Sequence, residues 1–243
     1  MIMKLTTMIF KLPLLIILLG LMPSCSDSDI ERSEPTINDE SNLEILTYLA
    51  LGDSYTVGES VVYEESFPAQ LSTRIEEYED VRVNTTVIAQ TGWRTDQLLS
   101  AIGNRESANY NLVTLLIGVN NQFQSRPFSQ YQTEFTILVD KAINLAGNDS
   151  NHVVILSIPD YYYTTYGQNN GSLEISTEID RYNDFAKSIA KSRGITFLDI
   201  TDITRKGLEE PELVATDGLH PSGIAYEKFV ERLYPLIRSK LKD

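Results

Sequence analysis

Three side chains able to activate a hydroxyl stand in two short segments at opposite ends of the chain. A serine hydroxyl attacks a carbonyl only when an adjacent base takes its proton. Ser54 stands in Leu51-Gly52-Asp53-Ser54, with Gly58 four residues on, and only His152 and His220 are available as an imidazole base. His220 lies in Thr216-Asp217-Gly218-Leu219-His220-Pro221-Ser222. In a turn, an acid three residues before a histidine can lie against the ring nitrogen that faces away from the serine. It then holds the useful tautomer and stabilises the imidazolium. Each segment has a plainer reading: Ser54 as the cap of the next helix, and Asp217 and His220 as a helix cap with a surface histidine. Taken together they supply nucleophile, orienting acid and base in the order Ser, Asp, His, which is the equipment for acyl transfer through a covalent intermediate.

Such a trio needs a scaffold that brings residue 54 to residue 220. Ile45 to Leu51 reads ILTYLAL, an almost unbroken apolar run suited to a strand buried on both faces of a parallel sheet. Further strands are expected over 81–89, 111–118, 152–158 and 195–200, and helices over 66–78, 95–103, 129–146, 175–193 and 221–241. The helix from 66 starts with a Ser as its cap, and the one ending at 193 has a basic last turn and a Gly stop. Strand–helix alternation of this kind implies parallel strands joined by right-handed crossovers, hence an α/β fold built as a three-layer α/β/α sandwich on a five-stranded parallel sheet. Ser54 then stands at the carboxyl edge of the sheet, where open α/β sheets place ligands. His152 opens its strand, at the opposite edge, which marks it as a structural or surface residue rather than the base.

Two more short segments complete a pattern. Gly92 stands in Ala-Gln-Thr-Gly-Trp-Arg-Thr and follows the second strand; Gly118-Val119-Asn120 follows the third. With Gly52-Asp53-Ser54 and Asp217-Gly218-Leu219-His220-Pro221, these four blocks, in this order, resemble those of the SGNH (GDSL-type) esterases and lipases. The resemblance spans nearly the whole chain after its first 42 residues. It implies a flavodoxin-like strand order 2-1-3-4-5, Ser54, Asp217 and His220 as catalytic residues, and an oxyanion hole made of the Ser54 and Gly92 backbone N–H groups and the Asn120 side-chain amide. Glycine at 92 allows close backbone approach to a ligand, and an asparagine amide is a donor that does not act as a base. Two positions depart from the family's usual pattern: Asn121 stands where Asp is common, and Tyr55 where Leu is common.

The segment after the fourth strand, Asp160-Tyr161-Tyr162-Tyr163-Thr164-Thr165-Tyr166-Gly167, leaves the sheet at the same edge as Ser54. Tyrosines offer flat apolar faces with a polar tip. Tyr161 and Tyr162, with Trp93 and Phe123 beside the expected oxyanion donors, are candidates for the rim of an acyl or sugar pocket; the other reading is that they cover the core under a long loop.

Residues 1–24 read as an export signal. Lys4 and Lys11 flank the first segment, and Leu12 to Met22 is an apolar run shorter than the ~20 residues of a membrane span. The run ends at Leu21-Met22-Pro23-Ser24-Cys25, and Cys25 is the only cysteine of the chain, a pattern that resembles a bacterial lipoprotein cleavage box and implies a lipid anchor at Cys25. Residues 25–42 are polar and acidic and read as a flexible tether, leaving 43–243 as the catalytic domain. The formal charge is −14, which argues against nucleic acid as a partner because phosphate binding needs a basic face. No glycine-rich phosphate fingerprint and no His/Cys cluster occurs, so neither a cofactor nor a metal is implied. The expectation is a monomeric, envelope-anchored serine esterase acting on short-chain acyl or acetyl esters of lipids or glycans. An O-acyltransferase acting on a glycan and a non-catalytic surface binding protein are the alternatives.

Overall fold

A computed structural model describes residues 43–240 apart from 104 and 106–108. The export signal, Cys25 and the tether lie outside the described residues. Five strands form one sheet: β1 (Glu44–Gly52), β2 (Val81–Ala89), β3 (Leu112–Leu116), β4 (Val153–Leu156) and β5 (Thr196–Leu198). Every pairing is parallel and the order is β2-β1-β3-β4-β5.

The burial of each strand follows its place in that order. The five residues of β3 and the four of β4 are all buried, as expected of central strands with helices on both faces. β1 is exposed at Glu44 and Ile45 and buried from Tyr48 to Gly52, so the end that carries Ser54 is the end held in the core. β2, at the sheet edge, has only Ile88 buried. One polar pair interrupts the apolar centre: the Tyr48 hydroxyl and Thr114 Oγ1 lie 2.8 Å apart, each meeting the other's hydrogen-bonding need.

The long helices are α2 (Phe67–Tyr78), α3 (Thr95–Ile102), α5 (Phe128–Leu145), α7 (Glu174–Arg193) and α9 (Gly223–Lys240). Short ones lie in the segments that follow strands: α1 (Ser54–Val57), α4 (Val119–Phe123), α6 (Thr165–Asn170, after a 3-10 turn over Tyr161–Tyr163) and α8 (Thr201–Thr204). α2 packs on α9 and β2, whereas α3, α5 and α7 pack in series, α5 on β3 and α7 on β4 and β5. This is the expected three-layer sandwich, since crossovers of one hand change face where the strand order reverses. α5 and α7 are joined by stacked rings: Tyr131 lies 4.4 Å from Tyr182, and Arg181 covers the Phe128 ring at 3.9 Å.

Ser66 precedes α2 but does not cap it. Its hydroxyl donates back to the Tyr63 carbonyl at 2.7 Å and no side-chain bond reaches the helix. Pro68 in the first turn, which lacks an N–H, lessens the need for such a cap.

Candidate active site

Reversal of strand order leaves a crevice between the carboxyl ends of β1 and β3, and the functional side chains enter it on the turns that follow β1, β2 and β3. After β1, Asp53 caps α1 by accepting the Tyr55 N–H at 3.1 Å, and Ser54 opens that helix, almost fully buried. After β3, the backbone turns at Gly118 with φ 131°, and a Cβ there would lie 2.6 Å from Tyr131 Cε2. Only glycine fits this turn, which throws Asn120 toward Ser54. After β2, Gly92 adopts φ 82° and a Cβ would meet nothing within 4 Å. Here conformation rather than space demands glycine.

His220 arrives from the other end of the chain on a tight loop. Val214 and Pro221 bridge, the Ala215 N–H donates to the His220 carbonyl at 2.7 Å, and Gly218 turns with φ 72°. Inside this loop Asp217 Oδ1 accepts the N–H groups of Leu219 and His220 at 2.9 and 3.0 Å. Its Oδ2 lies 2.6 Å from His220 Nδ1, and His220 Nε2 lies 3.1 Å from Ser54 Oγ. The imidazole is flanked by the Tyr55 ring, 5.5 Å between centroids. Partial burial pushes the Asp217 carboxyl up, but hydrogen bonds from His220, Ser60 and two backbone N–H groups outweigh it and hold the acid well below the usual carboxylate range. Asp217 is therefore ionised across the neutral range.

Ser60 is a contact that the sequence pattern does not announce. Its hydroxyl donates to Asp217 Oδ2 at 2.7 Å, the same oxygen that faces His220. It adopts φ 69°, a left-handed conformation unusual for a residue with a side chain. Asp53 is the other. It is fully buried, and burial pushes its carboxyl up to about 7 against the opposing hydrogen bonds from Tyr55 and Asn120.

The second and third turns are tied to each other. Asn120 Nδ2 donates to the Trp93 carbonyl at 3.0 Å, and Gln124 Nε2 donates to the Gly92 carbonyl at 3.1 Å. Asn121, fully buried, accepts the Thr95 N–H at 3.0 Å and donates to Thr95 Oγ1 at 2.8 Å. Because the Thr95 hydroxyl is itself donated to Glu134, its partner at 121 must be a donor. An amide meets that need where a carboxylate would not.

Ser54, Asn120 and His220 open into a cleft of about 220 Å³, mostly apolar, with Phe123 and Tyr161 on its walls. Tyr161 is held there: Asp160 accepts the Tyr162 N–H at 3.1 Å, Arg205 pairs with Asp160 at 2.9 Å, and the Tyr161 hydroxyl donates to Gln122 at 2.9 Å. Burial pushes that phenol up to about 12, so it stays protonated and keeps its O–H for Gln122. Of the four aromatics expected at the rim, Phe123 and Tyr161 line the cleft. Trp93 and Tyr162 do not; both pack against the hydrophobic core. Trp93 meets Asn120 through its carbonyl. His152 closes a 3-10 turn just before β4, at the amino edge of the sheet.

Among the described residues no group of three or more His, Cys, Asp or Glu converges as a metal site, and no helix is long and apolar enough to cross a membrane.

The fold has many solved neighbours. A lipase from a goat rumen metagenome aligns with TM-score 0.64 at 21% identity, over 79% of this chain and 97% of that one. A lipase/acylhydrolase from Enterococcus faecalis aligns with TM-score 0.62 at 17% identity, over 80% and 96%. The acetylxylan esterase Axe2 of Geobacillus stearothermophilus gives 0.61 at 17%, over 79% and 94%. No curated protein sequence matches the chain. At such identities the neighbours speak for the fold alone. The model of the GDSL-like lipase/acylhydrolase family, however, matches residues 50–228, a stretch that runs from the last residues of β1 through His220 into α9. The chain thus belongs to the GDSL-like lipase/acylhydrolase family and is a carboxylic ester hydrolase of that type.

Proposed function

We propose that the protein is a serine esterase whose nucleophile, base and orienting acid are Ser54, His220 and Asp217, acting on short-chain acyl or acetyl esters of lipids or glycans. The observation that carries this reading is the unbroken relay from Asp217 Oδ2 to His220 Nδ1 at 2.6 Å and from His220 Nε2 to Ser54 Oγ at 3.1 Å, at the mouth of an apolar cleft. Both spacings are within hydrogen-bond reach, as proton transfer requires. Ser54 Oγ bonds to the ester carbonyl carbon as its proton passes to His220 Nε2. The tetrahedral oxyanion is met by the Ser54 and Gly92 N–H groups and the Asn120 amide, each such donor lowering the barrier by about 3 kcal/mol. Collapse expels the alcohol, which leaves with the proton from His220. Water, deprotonated by the same imidazole, then releases the acid and restores Ser54.

The cleft argues for small acyl groups. At about 220 Å³ it falls below the ~300–1,000 Å³ of sites for drug-sized ligands, and the anchored Tyr161 ring and Phe123 stand where a long chain would run. The test compares the purified protein with its Ser54→Ala variant on p-nitrophenyl esters from acetate to palmitate. The reading requires activity that is highest on the short esters and absent from the variant. Activity surviving Ser54→Ala would overturn it.

We further propose that residues 1–24 are removed and that Cys25 carries a lipid, holding a monomeric domain on the envelope by its acidic tether. The support is the basic start, the short apolar run and the single cysteine that follows it. Cys25→Ser is expected to move the protein from the membrane to the soluble fraction of cells; unchanged membrane association refutes the anchor.

A further inference from the structure

The mechanism above leaves one buried carboxyl without a role. Asp53 stands between the nucleophile and the third oxyanion donor and is fully buried, and no ion pair among the described residues reaches it. One oxygen is spent on the cap of α1, accepting the Tyr55 N–H at 3.1 Å. The other faces Asn120 Nδ2 at 3.4 Å. The same Nδ2 donates to the Trp93 carbonyl at 3.0 Å.

A carboxamide has nearly the same shape whichever way round it sits, and its neighbours decide which end faces a given point. An oxyanion hole needs the nitrogen end; the oxygen end would repel the developing charge. Both acceptors around Asn120 converge on the nitrogen. The bond to Trp93 is full length, whereas the approach to Asp53 is long for a hydrogen bond. That second N–H is held in direction without being committed, so a stronger acceptor arriving in the cleft can take it.

We propose that Asp53 is a positioning residue of the reaction: its Oδ2 keeps the amide nitrogen of Asn120 turned toward the cleft, so that the third oxyanion donor is preset before substrate binds. Asp53 itself touches no substrate atom. The inference rests on the serine esterase reading and on Asn120 as a donor within it.

Two variants of the full-length protein separate this role from a structural one. In Asp53→Asn, the new side-chain oxygen keeps the cap of α1, and the new NH2 group then confronts the NH2 group of Asn120. Donor against donor forces the Asn120 amide away from its working orientation. We expect kcat on p-nitrophenyl acetate at pH 8 to fall about 100-fold or more, as for loss of an oxyanion donor, with KM within about twofold and a thermal midpoint no lower than the parent's at that pH. In Asp53→Ala the cap is lost and the midpoint drops, but nothing repels Asn120 and Trp93 still holds it. Its kcat per folded site, counted by the burst of p-nitrophenol, should fall only about tenfold. A purely structural Asp53 predicts the reverse order, with Ala worse than Asn in activity as well as stability.

The proposal is overturned if Asp53→Asn keeps kcat within threefold of the parent, or if Ala is the less active of the two per folded site. Ser54→Ala assayed beside them isolates the cause of a failure. Activity in that variant would remove the serine esterase reading itself, whereas an inactive Ser54→Ala with an active Asp53→Asn would remove only the role given to Asp53.

Discussion

Burying a carboxyl without a cation makes stability depend on pH in the direction opposite to the usual acid, and Asp53 is such a group. Burial pushes it from the ordinary 3.8 up to about 7. Between those two values the folded protein keeps a proton that the unfolded chain has released, so stability falls as pH rises from about 4 to about 7 and is level above. Three pH units at 1.36 kcal/mol each correspond to about 4 kcal/mol. Asp53→Asn removes the titration. The stability of the variant relative to the parent should therefore grow by about 4 kcal/mol between pH 4 and pH 8, or roughly 8–16 °C in Tm for a domain of this size. The new amide's contact with Asn120 adds an offset but no slope. Tyr55 and Tyr226, whose phenols are raised by burial and by the charge of Asp53, stay neutral across this range. Asp217, held low, titrates beneath it and is common to both proteins. Urea denaturation of the two proteins at half-unit pH steps, with equal m-values, measures the difference. Parallel stability curves from pH 4 to 8 would refute a buried carboxyl that shares its pocket with no cation.

Three other substitutions probe the frame around the site. Gly118→Ala should cost about 3 kcal/mol in denaturant unfolding, because a Cβ meets the Tyr131 ring at 2.6 Å and φ is 131°; a loss under 1 kcal/mol contradicts the close fit. Asp217→Asn should lower kcat by roughly 10⁴ through the wrong imidazole tautomer while leaving the short-ester preference intact, as the chain-length series will read. Ser60→Ala removes an exposed 2.7 Å bond to Asp217, and kcat/KM should fall only about three- to tenfold with Tm unchanged, since two backbone N–H groups and His220 still hold the carboxylate.

How far the sequence is legible depends on whether a position is set by pattern or by contact. The five strands and five long helices are visible because central strands such as Leu112–Leu116 must be apolar on both faces and helices such as Glu174–Arg193 end in a basic turn and a glycine. The short helices that follow strands are not, because four to six residues carry no period. The four blocks are legible as motifs, yet their partners are not. Nothing in the sequence joins Ser60 to Asp217 across 157 positions, or shows that Asp53 lacks a cation. Ser66 has the residue type of a cap, but its hydroxyl turns back to Tyr63. Adjacent aromatics are the least legible of all. Tyr161 and Tyr162 are alike in type, yet the first is part of the core and also lines the cleft, whereas the half-buried second only packs against the core.

What distinguishes this site is that its precision comes from bonds between loops rather than from the sheet beneath them. The sheet delivers Ser54, Gly92 and Asn120 to one edge, but a strand end leaves a side chain free over several ångströms. Here the Gly92 carbonyl is held by Gln124, the Trp93 carbonyl by Asn120, and both polar groups of Asn121 by Thr95. Gln124 is in turn gripped by Arg94 at 2.6 Å. The turns after β2 and β3 are therefore tied to each other, and the oxyanion donors proposed on them share one bonded frame. The loop after α1 does the same on the other side, where Ser60 reaches Asp217 and Glu59 accepts the Thr91 hydroxyl beside Gly92. Preorganisation of this kind is what electrostatic catalysis requires, since donors that must reorient when charge develops lose much of their value. It also explains why Asn121 and Tyr55 differ from the family's usual residues without disturbing the relay. Asn121 meets the donor requirement set by Thr95 and Glu134, and Tyr55 packs on the imidazole it helps to hold. Both changes are absorbed by local partners, and Asp217, His220 and Ser54 stay within hydrogen-bond reach of one another, as the proposed acyl transfer requires.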